Sequence, residues 1–195
     1  MAAALPRQDA QPTRVCHPLP AAADEAGVKN ATVLSFTEGP AVDAAGNVYF
    51  SDIEGNRIMK LTPSGVRTVF RADSGRTNGN TFDREGRLLH CEGAENGPGG
   101  RRRITRTNLQ TGVYEVLTDR YDGQRYNSPN DICVDGEGRI YFTDPRYGDR
   151  SDLEMSVEAV YRIDTNGKVS RIVQQPQIGR PNGIAVTQDA KLLYL

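Results

Sequence analysis

Four segments of this chain repeat one pattern. They read "EGPAVDAAGNVYFSD" from Glu38, "NGNTFDREGRLLHCE" from Asn78, "PNDICVDGEGRIYFTD" from Pro129 and "PNGIAVTQDAKLLYL" from Pro181. Each opens on a polar or Gly-rich pair and enters a short apolar run. A turn carrying Asp or Gly follows, then a second apolar run. The turn position is Gly46, Gly86 and Gly138 in the first three segments and Ala190 in the fourth. A repeat constrains the fold more than local propensity does, because each unit must bury its apolar face against the next copy. Between these segments lies a second repeated unit: "NRIMKLTPSGVRTVF", "RRITRTNLQTGVYEVLT" and "AVYRIDTNGKVSRIV", with turn glycines Gly65, Gly112 and Gly167. Val, Ile, Tyr, Phe and Thr dominate the runs, as in strands, and "TPSG", "LQTG" and "TNGK" are hairpin turn chemistry. No segment sustains a helical period.

One full repeat is therefore two hairpins, or four antiparallel strands. At a spacing of roughly 40–50 residues this is the pattern of a β-propeller blade. An up-and-down barrel also strings hairpins together, but it does not alternate two unit types with matched openings. The expected fold is all-β: a propeller of four-stranded antiparallel blades over residues 33–195, following a poorly structured Pro/Ala-rich lead-in at residues 1–32. About three and a half blades can be counted. Propellers close rings of about four to eight blades to protect their edges, so the chain reads as a C-terminally truncated piece of a longer one.

Charge and cysteine usage remove several function classes. The net charge is −1 and the basic residues are scattered. The cluster Arg101-Arg102-Arg103 follows Gly-Pro-Gly-Gly and reads as a loop corner, so no nucleic-acid partner is expected. No stretch is long and apolar enough to span a membrane, and the N-terminus lacks the basic and apolar regions of a signal peptide. The compartment, cytoplasm or exterior, stays open. Cys16, Cys91 and Cys133 are too few and too dispersed for a disulfide framework; Cys91 and Cys133 read as small core residues. His17 falls in the lead-in, and His90, within a second strand, reads as a packed or edge histidine.

The residues just before each first strand are Glu38, Asn78, Asn130 and Asn182. In a propeller these positions converge on the axis. Carboxylate and amide oxygens are hard donors suited to Ca²⁺ or Mg²⁺, and the absence of His and Cys argues against a structural zinc site. A single Pro-Asn-Gly or Pro-Asn-Asp is an ordinary turn, since Asn tolerates the left-handed region. Recurrence at one place in the repeat favours a shared axial site. Asp131, replaced by Gly183 in the fourth unit, reads as local turn or support beside Asn130.

At these residues the chain resembles the gluconolactonase / senescence marker protein / luciferin-regenerating enzyme family. "FTEGPAVDAAGNVYFSDIEGNRI", "CEGAENGPGGRRRITRTNLQTG", "NSPNDICVDGEGRIYFTDPRYG" and "RPNGIAVTQDAKLLYL" carry the resemblance in that order, over about residues 33–195. It implies a six-bladed ring with one divalent metal at its axis, Ca²⁺ first, with Mg²⁺, Mn²⁺ or Zn²⁺ as alternatives. It also implies a carboxylic ester hydrolase of carbohydrate metabolism that opens sugar lactones, the metal polarising the carbonyl and activating water. By motif, Glu38, Asn130 and Asn182 are the metal ligands, and Asn78 and Asn130 contact substrate. The general base, an aspartate of a later Asp-Gly motif, is expected beyond Leu195, which leaves the fragment itself inactive. The implied partner is a small molecule, with no nucleic acid or membrane and a monomer at full length. The rival readings are a related propeller hydrolase of phosphotriesterase or aryl esterase type, and a non-enzymatic ligand-binding propeller.

Overall fold

The computed structural model describes residues 2–4, 36–94 and 98–195. Its first strand, β1 (Ala2–Ala4), is the only part of segment 1–32 among them. Three four-stranded antiparallel sheets follow. The first holds β2 (Thr37–Val42), β3 (Val48–Asp52), β4 (Arg57–Leu61) and β5 (Arg67–Ala72), and the second β6 (Thr77–Phe82), β7 (Leu88–Glu92), β8 (Arg103–Thr107) and β9 (Tyr114–Thr118). A two-stranded hairpin, β10 (Arg120–Tyr121) with β11 (Gln124–Arg125), intervenes. The third sheet holds β12 (Ile132–Val134), β13 (Ile140–Asp144), β14 (Ala159–Ile163) and β15 (Val169–Gln174). β16 (Ala185–Val186) and β17 (Leu192–Tyr194) begin a fourth, in which β17 also pairs with β1. In each of the three four-stranded sheets the strand order is the chain order, and the first strands of successive sheets pack on one another, β2 on β6, β6 on β12 and β12 on β16. This is the propeller arrangement, with three complete blades and the start of a fourth; among the described residues the sheets do not close a ring. The described residues contain no helix long and apolar enough to cross a membrane.

The turn chemistry explains why the repeat is so regular. In the first three blades the turn aspartate caps its own loop. Asp43 Oδ1 accepts from Ala45 N and Asn47 N, both at 2.9 Å. Asp83 Oδ1 accepts from Glu85 N at 3.1 Å and Arg87 N at 2.9 Å, and Asp135 Oδ1 from Glu137 N at 2.9 Å and Arg139 N at 3.0 Å. Gly46, Gly86 and Gly138 sit at φ +80°, +72° and +86°, a region that suits glycine. In the fourth unit Thr187 takes the place of the aspartate, and Ala190 is held at φ +54°. Its Cβ makes that conformation cost about 1–2 kcal/mol.

The cores lie between blades. The largest joins the second and third blades through Leu89, Cys91, Ile104, Ile132, Phe142 and Tyr161. Tyr126, from the segment linking β11 to β12, packs edge-on to Phe142 and Tyr161 with ring centroids 5.1 and 5.2 Å away. Cys91 is buried here and Cys133 partly buried, and burial pushes the Cys133 thiol up to about 12. The arginine run is not the exposed corner its sequence suggests. Arg102 is 1% exposed, facing Asp152 and Glu154 at 3.5 and 3.6 Å. Arg103 Nε donates at 2.8 Å to buried Glu92. Buried carboxylates demand paired cations, and Glu92 takes Arg71 as well, at 2.8 Å.

Candidate functional site

Glu38, Asn78, Asn130 and Asn182, from four successive units, line one cleft of about 420 Å³ at the shared end of the first strands. Their placement differs in one detail from the sequence expectation. Asn130 and Asn182 precede β12 and β16, but Glu38 and Asn78 lie inside β2 and β6. A register shift lies at each, between Glu38 and Ala41 and, spanning Asn78, between Thr77 and Asn80. The bulge lets the strand run on while the polar residue keeps its axial aim.

The backbones of these residues are held by neighbouring strands. Ser51 Oγ on β3 donates to the Asn78 carbonyl at 2.7 Å, and Thr143 Oγ1 on β13 donates to the Asn182 carbonyl at 2.7 Å. Gly79 N donates to the Asn130 carbonyl at 2.7 Å. The glycines that follow the axial residues permit this proximity. A Cβ on Gly39 would lie 2.3 Å from the Asn78 oxygen, and one on Gly79 would lie 2.6 Å from the Asn130 oxygen. The third blade has Asp131 at this position. Its Oδ2 accepts from Ile184 N at 2.9 Å and its Oδ1 from Ile132 N at 2.9 Å, so it ties the third blade to the fourth unit.

The side chains are in a different state from the backbones. Among the described residues the Glu38 carboxylate and the Asn78 and Asn130 amides meet no hydrogen-bond partner, although Asn130 is only 9% exposed. Asn182 Nδ2 donates to Tyr147 Oη at 2.9 Å, which leaves Oδ1 as that amide's acceptor. Buried polar groups are normally paired, so the unpaired amide of buried Asn130, beside the half-buried Glu38 and Asn78, suits a cleft that takes a ligand. No group of three or more His, Cys, Asp or Glu among the described residues is placed to hold a metal. The cleft set is instead one carboxylate with amide oxygens. Such a set fits a hard cation such as Ca²⁺ or Mg²⁺ and does not fit a thiolate or imidazole site. Its single negative charge leaves a bound divalent ion net positive.

Residues that sequence reasoning passed over complete the cleft. Phe36, Glu54, Arg76, Arg146 and Tyr147 all line it. Arg76 Nη2 donates to Glu54 Oε1 at 2.9 Å. Arg146, 1% exposed, donates from Nη1 to the Asn127 carbonyl at 2.9 Å and from Nη2 to Asp152 Oδ1 at 2.5 Å. Below the cleft, Asp144 accepts from Asn127 N and Ser128 N, each at 2.8 Å, and so fixes the loop that delivers Asn130. Complete burial pushes the Asp144 carboxyl up to about 7. One signal was available: Arg precedes the axial Asn by two residues in both the second and fourth units, as Arg76 and Arg180. His90 stands apart from the cleft. It is fully buried, its ring nitrogens 2.9 Å from Asn80 Oδ1 and Thr107 Oγ1, and burial pulls its pKa down to about 3.

Residues 36–195 match the SMP-30/Gluconolactonase/LRE-like region. The chain is similar to the gluconolactonase of Zymomonas mobilis subsp. mobilis, 33% identical over 184 residues, covering 85% of this chain and 49% of that protein. A lactonohydrolase of Aspergillus oryzae is 30% identical over 89 residues, 44% of this chain and 20% of its own length. Among solved structures, a gluconolactonase from Xanthomonas campestris superposes with a TM-score of 0.72 at 35% identity, over 83% of this chain and 54% of that one. The chain thus spans about half the length of the Zymomonas relative.

Proposed function

The chain belongs to the SMP-30/gluconolactonase/LRE-like family, and on that premise we propose that its axial cleft hydrolyses sugar lactones. The observation that carries this reading is the convergence of Glu38, Asn78 and Asn130 on one cleft with their side chains unpaired among the described residues. Glu38, Asn130 and Asn182 would hold a hard divalent cation such as Ca²⁺ or Mg²⁺ through their oxygens. When bound, that ion supplies Lewis-acid polarisation of the lactone carbonyl.

The chain's own residues do the rest of what this half can do. Asn78 and Asn130 present amides to the ring oxygens and hydroxyls of the substrate. The Asp144 carboxylate fixes the backbone before Asn130, so that amide is aimed before substrate arrives, and a preset donor loses nothing to reorganisation at the moment of reaction. Water adds to the carbonyl carbon, the bond from that carbon to the ring oxygen breaks, and the released alkoxide takes up a proton to give an open hydroxy acid. Glu38 is assigned to the cation and Glu54 is paired with Arg76. We therefore assign removal of the water's proton to a carboxylate from the part of the relatives that this chain does not span.

The test is acid release from D-glucono-δ-lactone by the natural protein, with and without chelator and added Ca²⁺. Chelation and Glu38→Gln should each lower kcat/KM by about 100-fold or more, in the range seen when an electrostatic group is removed from an acyl-transfer site. Added Ca²⁺ should raise the melting temperature, since a ligand of the native state stabilises it. Activity indifferent to both chelator and Glu38→Gln would sink the reading.

A further inference from the structure

We propose that Arg76 is the residue that recognises a polyhydroxylated ring in this cleft and separates sugar lactones from unsubstituted ones. The inference rests on the lactonase reading above and extends it to substrate selection.

It starts from the repeat. Two residues before the axial positions stand Phe36, Arg76, Ser128 and Arg180. The first three line the same cleft as the axial residues, so the repeat builds an outer tier around the inner polar ring. Arg76 and Arg180 occupy equivalent positions with backbone φ of +51° and +24°. Non-glycine residues rarely adopt that region, and where they do the surroundings must enforce it. At Arg76 the enforcement comes from the blade before. Asn56 Oδ1 accepts from the Arg76 backbone N at 2.8 Å, and Glu54 Oε1 accepts from its Nη2 at 2.9 Å. Main chain and guanidinium are thus both fixed by the loop that joins β3 to β4.

The two arginines are not equivalent in use. The Arg180 guanidinium lies over the Tyr147 ring, 5.3 Å from its centroid, and Arg180 does not line the cleft. Arg76 lines it beside Asn78. A guanidinium is a flat fork of N–H donors whose geometry fits paired oxygens, and adjacent hydroxyls of a sugar ring offer such a pair. The apolar faces of the same ring have partners here too. Phe36 and Tyr147, 50% and 51% exposed, line the cleft, and large aromatics left in water at a cleft suit the C–H faces of a sugar.

The experiment compares D-glucono-δ-lactone with δ-valerolactone, which has the same six-membered ester and no hydroxyls. In the natural protein, Arg76→Gln should raise KM for the sugar lactone at least tenfold while kcat stays within about threefold and KM for δ-valerolactone stays within twofold. Arg76→Lys should recover part of the loss, and Glu54→Gln, which keeps the arginine but removes the charge of its partner on the β3–β4 loop, should move KM in the same direction by a smaller factor. Equal losses on both substrates, or none on either, would overturn the proposal, since a merely structural arginine does not distinguish them. If the wild-type protein hydrolyses neither lactone, the lactonase reading fails on its own, and calorimetric titration with D-gluconate decides the site. Binding that Arg76→Gln weakens tenfold sustains the recognition role; no binding by wild type overturns it as well.

Discussion

The two ends of the first strands carry polar residues in opposite conditions. At the turn end, Asp43, Asp83 and Asp135 each cap two backbone N–H groups, and Asp83 and Asp135 also pair with Arg87 and Arg139 at 2.7 and 2.6 Å. At the cleft end, the side chains of Glu38, Asn78 and Asn130 meet no partner among the described residues. Both sets repeat with the blade, and both are polar residues in turn-like sequence. The difference is that the fold satisfies the first set and leaves the second open. Polarity that closes a loop contributes stability; polarity left open at a convergence point contributes chemistry.

The sharpest way to break this contrast is to truncate one residue of each kind. Asp135→Ala should cost about 2–3 kcal/mol in denaturant unfolding, because it removes the partner of two part-buried N–H donors, of the buried Tyr141 hydroxyl and of Arg139, while activity per folded molecule persists. Glu38→Gln should do the reverse, abolishing most activity and changing stability by less than about 0.5 kcal/mol, the range for sites without structural partners. Equal stability losses would erase the distinction. Gly79→Ala tests whether the open end still depends on close packing. Its Cβ would meet the Asn130 oxygen at 2.6 Å, so a loss of about 2–3 kcal/mol is expected, as for overpacking, along with displaced axial geometry and weaker metal binding by calorimetry.

Two buried groups that do not line the cleft give a pH signature. His90 titrates at about 3 against an ordinary 6.5, so its contribution is present above 6.5 and is lost as pH falls towards 3. Asp144 titrates at about 7 against 3.8, so its contribution is present below 3.8 and is lost as pH rises to 7. Each shift has a slope of about 1.4 kcal/mol per pH unit, with opposite signs. Between about pH 4 and 6.5 they offset one another. His90→Gln should therefore leave stability falling as pH rises through that window, and Asp144→Asn should leave it rising. Melting curves from pH 4 to 7 that keep the same slope in both variants would contradict the assignment. The smallest effect concerns Ala190: Ala190→Gly should raise stability by about 1 kcal/mol by relieving φ +54°, measured as a small rise in the denaturation midpoint.

Much of this was legible because a repeat supplies its own controls. The strand–turn–strand pattern, the turn glycines and the convergence of Glu38, Asn78, Asn130 and Asn182 all follow from aligning the chain with itself. Two things were not legible. Gly39 and Gly79 look like turn glycines, yet their role is set by distances to the neighbouring blade, which no local pattern encodes. The buried Arg102 and Arg146 were equally opaque, since charge in sequence reads as surface and only the fold reveals the carbonyls and carboxylates that receive it. The outer tier escaped although Arg76 and Arg180 recur two residues before the axial positions, because only the fold shows which of these side chains face the cleft.

The hydroxyls of Ser51 and Thr143 grip the main chain of Asn78 and Asn182, not their side chains. Holding and acting are thereby divided between different atoms of one residue. A side chain at an axial position can be exchanged while the peptide that carries it stays where its neighbour put it. Such a socket accepts new contents without being rebuilt, so selection can retune the lining of the cleft one blade at a time.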